Sequence, residues 1–147
     1  MIQPIFDHAD TSWGVLSEAC NNELQRLLNR AACIVLRRNR TENCLSSLNW
    51  LHLSTRRKIN QCVLVFKILN NCVPVYFNDY FTKNSNVHSF NTRHKDNFVL
   101  PKVKRELGKR TFIYAGVKDY NDLSTDIKNV LLLTSFKTRI KHYFKSR

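Results

Sequence analysis

A chain of 147 residues is long enough for one domain around a single core and too short for a second core of full size. Its composition is 43% hydrophobic with only three Gly and three Pro, which excludes disorder as a description of the whole chain. Lys and Arg number 24 against 11 Asp and Glu, a formal net charge of +13. The positive electrostatic field of such a chain favours nucleic acid, anionic lipid or an acidic protein as the partner. Binding a small acidic metabolite would not require so much positive charge.

The sequence contains neither a membrane-spanning run nor a secretory signal. Its longest apolar run covers residues 31–36, whereas a spanning helix needs roughly 18 to 20 apolar residues. The first seven residues lack the basic, apolar and cleavage regions of a signal peptide. We therefore expect an intracellular protein of the nucleus or cytoplasm that is not secreted and does not bind membranes. The five cysteines are odd in number without CxxC spacing, which favours buried thiols over disulfides.

The first predicted helices cover residues 17–39 and 41–48. Thr41 is the expected cap of the second, shorter one. In the first, apolar residues recur at steps of three and four, and basic residues occupy other positions. The predicted inward side chains are Cys20, Leu24, Leu27, Leu28, Ala31, Ile34 and Val35.

Ser54 is predicted to cap a helix that continues to Asn70. Arg56, Arg57 and Lys58 lie in its first turn, where the helix dipole disfavours positive charge, so we expect something else in the protein or its surroundings to compensate them. The predicted inward side chains are Ile59, Cys62, Val63, Phe66 and Leu69.

The second half of the chain begins with an aromatic cluster at residues 76–81, for which we expect core packing, after Pro74 at a first helical position. Residues 83–96 are polar and predict a loop, with extended structure through 98–101. A helix interrupted by Gly116 is expected from Thr111, and a last helix capped by Thr134 or Ser135. Its predicted inward residues are Phe136, Ile140, Tyr143 and Phe144.

Together these elements predict an all-α fold, a small helical bundle with a polar, basic loop or short extended segment around residues 83–110. We expect a single domain, 1–147, with a helical part (1–81), a basic connection (82–110) and C-terminal helices (111–147).

Catalytic patterns are missing from the sequence. Two-metal catalysis needs clustered carboxylates, and the chain has no adjacent acidic pair. The spacing of Cys62, Cys72, His88 and His94 matches no zinc finger or knuckle, and there is no P-loop, GxGxxG or GxSxG motif. We therefore predict no enzyme activity, no metal and no cofactor.

Basic residues concentrate between Arg93 and Arg110, where seven cations accompany only Asp96 and Glu106. Such a stretch can follow a phosphate backbone through charge, with an affinity that falls steeply with salt. A solvated surface that keeps the protein soluble is the alternative. The last eleven residues carry five more cations and no acid, which favours a second contact surface.

Six short motifs follow one another in an order that resembles the C-terminal region of reverse transcriptases from non-LTR (LINE-type, jockey-like) retrotransposons, downstream of the catalytic palm. The resemblance covers about residues 24–144. The motifs are LLNRAA (27–32), LNWL (48–51) with Arg56-Arg57, KILN (67–70) with Tyr76 and Phe81, His88 to Thr92-Arg93, LGKRTFIYAG (107–116) and SFK (135–137).

The sequence departs from the family pattern in three places. His52 stands where Pro is usual, Asp119-Tyr120 replaces Leu-Trp, and Ser124 replaces Pro. The palm with its catalytic carboxylates would precede Met1. The resemblance therefore implies origin from an RNA-directed DNA polymerase without its catalytic activity.

The family's post-palm segment is expected to form a helical thumb and an extension that hold template RNA and the growing hybrid. RNA, RNA–DNA hybrid or DNA are thus the implied partners, with a palm supplied by another chain as a further one. Trp50 and Tyr114 are candidates for base stacking, with core packing as the alternative. The implied phosphate contacts are Arg26, Arg30, Arg37, Arg38, Arg56, Arg57, Lys58, Arg93, Lys102, Lys104, Arg105, Lys109 and Arg110.

Three functions follow as hypotheses. The first is a non-catalytic fragment that binds RNA or RNA–DNA hybrid without sequence readout. The second is a decayed remnant or partial gene product without independent activity, whose apolar face once packed on the palm. The third is an interaction module for an acidic protein.

Overall fold

Helices account for most of the structure. The computed structural model describes residues 3–13, 16–38, 44–87, 89–90 and 95–145. In these ranges the extended residues form only an isolated antiparallel bridge, between Lys83 and Phe98, and no sheet. This confirms the all-α prediction. The helices are α1 (Gln3–Asp7), α2 (Asp10–Trp13), α3 (Glu18–Leu36), α4 (Cys44–Ser47), α5 (Leu53–Leu69), α6 (Glu106–Lys109), α7 (Phe112–Asn121), α8 (Thr125–Lys128) and α9 (Leu133–Lys145), with 3₁₀ helices at Val75–Tyr80 and Asn84–Asn86.

None of the described helices is both long and apolar enough to cross a membrane. All five cysteines lie in the described ranges, and none is in a disulfide. Cys33, Cys44 and Cys62 are buried as predicted, whereas Cys20 and Cys72 are exposed. Burial raises the pKa of the Cys62 thiol well above its ordinary value.

The main core forms where α7 and α9 pack on the central helix α5. Phe136 and Ile140 are fully buried, and the Phe136 ring stacks on Phe66 with centroids 4.2 Å apart. The predicted inward face of α9 is therefore confirmed, with Tyr143 and Phe144 packed at its edge. Its predicted caps are wrong, because α9 begins at Leu133 and both Thr134 and Ser135 lie inside it.

A second, smaller core lies between α3, α4 and the start of α5. Its buried members on α3 are Leu28, Ala32 and Cys33, with Leu24 packed beside them. The predicted inward face of α3 is therefore partly wrong. The reason is that α4 and α5 cover only one side of this helix, which leaves the other apolar positions in solvent. The exposed positions are Cys20, Leu27, Ile34 and Val35.

The limits of the early helices also differ from the prediction. Helix α3 ends at Leu36, since Arg37 adopts a left-handed conformation with φ 52°. Thr41 lies outside the described residues. Helix α5 begins one residue before Ser54, and the Leu53 amide donates to Gln25 Oε1 of α3 at 2.8 Å. A side chain of another helix therefore satisfies this end. The predicted inward face is confirmed for Ile59, Cys62, Val63 and Phe66, with Leu69 packed at its edge.

The aromatic cluster is divided between core and surface. Phe81 packs against the main core, but Tyr76 and Tyr80 are more than half exposed, so core packing is wrong for these two. Pro74 precedes the 3₁₀ helix rather than starting an α-helix.

Helix α7 continues through Gly116 without interruption, contrary to the prediction. Gly116 is buried, and a Cβ there would lie 2.9 Å from the Phe112 ring. The absence of a side chain thus allows Phe112 to fold back over its own helix beside α5.

Candidate nucleic-acid interface

Residues 102–110, here called the basic segment, carry five exposed cations. The Lys109 ammonium bonds Glu106 at 2.5 Å, and this hydrogen bond raises the pKa of Lys109 and lowers that of Glu106. The other four cations form no ion pair with a described residue, and their side chains are open to a ligand. They are Lys102, Lys104, Arg105 and Arg110.

Partly buried contacts hold the backbone on both sides of the basic segment. Asn121 accepts from the Phe98 amide at 3.0 Å and donates to the Phe98 carbonyl at 2.9 Å. Further along, a Cβ at Gly108 would lie 3.1 Å from Val103, and Thr111 Oγ1 donates to the Gly108 carbonyl at 2.6 Å. The chain is therefore held before and after the segment while the charged side chains point outward. Arg93, also predicted as a contact, lies outside the described residues.

The predicted arginines of α3 form a separate group. Arg26, Arg30 and Arg37 are exposed, and so is Arg38, whose guanidinium lies 3.5 Å from Ser47 Oγ. Arg26, Arg30 and Arg37 are therefore accessible to phosphates here too, beside the uncovered apolar positions of the same helix.

Two cations in the first turn of α5 are used inside the protein. Arg56 forms an ion pair with Asp7 of α1. Arg57 is only 8% exposed and donates to Asn21 Oδ1 at 2.8 Å. Burial lowers the pKa of the Arg57 guanidinium, while the charge of Asp10 opposes this shift. Asp7 and Asp10 therefore supply the negative charge that compensates Arg56 and Arg57.

The burial of Arg57 removes this residue from the list of predicted phosphate contacts. Arg57 is inaccessible to a backbone phosphate, and we exclude it. Lys58 is exposed and lies near Asp119, whose pKa is raised by burial and lowered in part by the Lys58 charge. Lys58 remains an accessible cation, although Asp119 offsets part of its charge.

The lysines of the last helix, which the predicted contact list did not include, lie across a groove from α5 and from the predicted contact Arg56. Two cavities of about 500 and 420 Å³ share Asp7, Ile59, Asn60 and Lys141. The sequence signal was the set of lysines at i, i+4 and i+8, but only the fold places α5 opposite them. The cations along the groove are Arg56, Lys67, Lys137, Lys141 and Lys145.

The two aromatic candidates for base stacking are only partly exposed. Trp50 is half-buried against the second core, and Tyr114 is half-buried on α7. Tyr76 and Tyr80, which the sequence assigned to the core, are more exposed than these two candidates.

Comparisons with protein-family models, with curated proteins and with solved structures found no match. The described residues also contain no group of three or more His, Cys, Asp or Glu side chains placed to hold a metal ion.

Proposed function

We propose that the chain binds RNA or an RNA–DNA hybrid through phosphate contacts, as a non-catalytic fragment similar to the post-palm region of a non-LTR retrotransposon reverse transcriptase. The observation that carries this proposal is the basic segment. It exposes five cations within nine residues, and Lys109 alone among them is paired with an acid in the described part of the chain.

The chemistry of such a surface favours charge recognition over base readout. Lys and Arg side chains neutralise phosphates and release condensed counterions, so each contact adds about 0.7 to 0.9 to the slope of log K against log salt. Phosphate contacts position a strand but carry no sequence information. The proposed activity is therefore nucleic-acid binding that does not depend on the nucleotide sequence.

Direct binding measurements test the proposal. The purified chain is titrated with a short RNA–DNA hybrid, the matched duplex DNA and single-stranded RNA at several salt concentrations. We expect dissociation constants that are micromolar or tighter, a steep negative salt slope, and a preference for hybrid or RNA. Weak binding that is independent of salt would contradict the proposal.

The uncovered apolar side of α3 favours a second candidate function. Leu27, Ile34 and Val35 lie on one side of the helix, and Ile34 is 66% exposed. Exposed apolar patches mark protein interfaces, so this side would pack on another polypeptide, such as a palm, and the chain alone would have no activity. The test is light scattering of the purified chain. Aggregation would support this candidate, and a soluble monomer would count against it.

A further inference from the structure

An aromatic cavity of about 360 Å³ lies between α2, α5, the 3₁₀ helix Val75–Tyr80 and the start of α7. Its volume is near the lower end of the range for small-molecule sites, so it suits one ring system better than several. Its aromatic lining residues are Phe77, Tyr80, Phe81 and Phe112, and its other lining side chains are uncharged aliphatic or hydroxyl groups.

The rings that line this cavity are accessible from solvent. Tyr80 is 58% exposed, and Phe77, Phe81 and Phe112 are half-buried, so each keeps part of its surface in water. A planar apolar group that enters the cavity would remove this aromatic surface from water, which is favourable. The cavity therefore suits a flat aromatic ligand.

Packing beneath the cavity holds its floor in place. The Phe81 ring meets Phe112 edge to face with centroids 5.9 Å apart, and meets Phe98 in the same way at 5.8 Å. Phe81 and Phe112 both pack against the main core. Gly116 leaves room for the Phe112 ring, since a Cβ there would lie 2.9 Å from it. The floor is therefore formed before a ligand arrives, which lowers the cost of binding.

Positive charge adjoins one part of the cavity wall. Thr111 lines the cavity, and the exposed Lys109 and Arg110 of the basic segment directly precede it, at about 3.8 Å between consecutive Cα atoms. At another part of the wall the exposed acid Asp79 precedes Tyr80. A ligand that joins an aromatic ring to an anion would therefore place the ring in the cavity and the anion towards Thr111.

We propose that the cavity binds an unpaired nucleobase of a single-stranded nucleic acid, while the adjoining phosphates contact the basic segment. The base stacks on the exposed ring of Tyr80, above the floor that Phe81 and Phe112 form. Every base has a π face, so such stacking tolerates any sequence, but a base within a duplex is already covered by its neighbours. This inference rests on the proposed function and deepens it, because it selects unpaired strands and assigns Tyr80 as the stacking residue.

Strands with and without bases test the stacking site. Affinities of the purified chain are measured by fluorescence anisotropy for a short oligouridine RNA and for an abasic RNA strand of the same length and charge. The wild type should bind oligouridine about tenfold more tightly, as expected for stacking of one base. Equal affinities that both fall with salt would keep the proposed function but overturn the stacking site, and would leave the cavity to another occupant, such as an apolar side chain of a protein.

Two tyrosines of the same 3₁₀ helix provide matched variants. Tyr80 lines the cavity, whereas Tyr76, which is 60% exposed, does not. Tyr80→Ala should remove most of the preference for oligouridine over the abasic strand, and Tyr76→Ala should keep it. Tyr80→Phe, which retains the ring, should bind like the wild type. Equal preferences in the two alanine variants would overturn the role of Tyr80, and circular dichroism verifies that both variants are folded.

A second arm separates the unpaired base from the phosphate backbone. The same RNA is paired with its complement, and its affinity is measured for both alanine variants. We expect equal duplex affinities, because paired bases cannot reach Tyr80. A loss of duplex affinity in Tyr80→Ala alone would overturn an unpaired base as the occupant. If the wild type binds neither strand nor duplex, the proposed function fails and this inference fails with it.

Discussion

The first turn of α5 and the basic segment are equally rich in cations in the sequence, yet the fold uses them differently. Arg56 and Arg57 contact Asp7 and Asn21 from other helices and are largely buried. The cations of the basic segment are exposed, and within the described ranges only Lys109 has an acidic partner, Glu106. In the first turn of α5 the N-terminal helices bring Asp7 and Asp10 to two of the cations, and these two cations are therefore part of an internal network.

The internal network also explains how the N-terminal helices are attached. Arg56 joins α5 to α1, Arg57 joins it to α3, and Asn60 Nδ2 donates to Asp10 Oδ2 of α2 at 2.6 Å. Three polar contacts from the first two turns of α5 therefore hold three other helices. Mutations in this network should affect stability, and mutations in the basic segment should affect binding.

The largest expected effect is the loss of Arg57. Arg57→Ala removes the bond to Asn21 and leaves the buried Asp10 without its nearby positive charge, so we expect a loss of about 2–3 kcal/mol in the free energy of unfolding. Urea denaturation measures this. Arg110→Ala is the control and should change stability by no more than about 0.5 kcal/mol. Equal effects of the two substitutions would remove the distinction between the regions.

Asn121→Ala tests the fixed backbone before the basic segment. The change removes both hydrogen bonds to Phe98, whose side chain is buried, and should cost about 2 kcal/mol of unfolding free energy. Asn129, exposed at the end of α8, provides the matched Asn→Ala control and should be nearly neutral. A stability equal to that of the control would mean that Asn121 does not hold the connection.

Lys109→Ala combined with Arg110→Ala should weaken RNA binding about tenfold at low salt, equally for unrelated sequences, since phosphate contacts carry no sequence information. Fluorescence anisotropy with several labelled oligonucleotides measures this. The double variant should unfold at the same urea concentration as the wild type. An unchanged affinity would exclude this turn from the interface.

The smallest expected effect is the pH dependence that Asp10 introduces. Burial raises the pKa of Asp10 above its ordinary value, although the hydrogen bond from Asn60 opposes the shift. The folded state therefore binds the proton more tightly than the unfolded state does. As the pH falls from 7 towards about 4, the wild type should gain stability relative to Asp10→Asn. Urea midpoints at each pH measure the difference, and a relative loss at low pH would contradict it.

Local patterns predicted the longer helices α3, α5, α7 and α9, but not the short helices α1, α2, α6 and α8, and they predicted the buried side of some helices only. The face of α9 was correct because its large apolar residues recur at steps of three and four and so lie on one side of the helix; they are Leu133, Phe136, Ile140, Tyr143 and Phe144. In α3 the apolar residues extend around more than one side, so the choice depended on where α4 and α5 lie. The buried side of α3 is therefore determined by tertiary packing and not by the pattern within the helix.

The candidate site shows the same limit of sequence analysis. The exposed cations of the basic segment were predictable because few acids lie near them in the sequence. The carboxylates that pair with Arg56 and approach Arg57 lie nearly fifty residues away, so the partners became visible only in the fold. The groove between α5 and α9 likewise combines side chains separated by more than seventy residues.

The salt dependence of RNA binding tests the central distinction most directly. The slope of log K against log salt is compared for the wild type and for Lys102→Gln, Lys104→Gln and Arg105→Gln combined. If these cations contact phosphates, the triple variant should bind with a slope shallower by about 2. Identical slopes would show that the exposed cations of the basic segment do not contact the nucleic acid and would contradict the account.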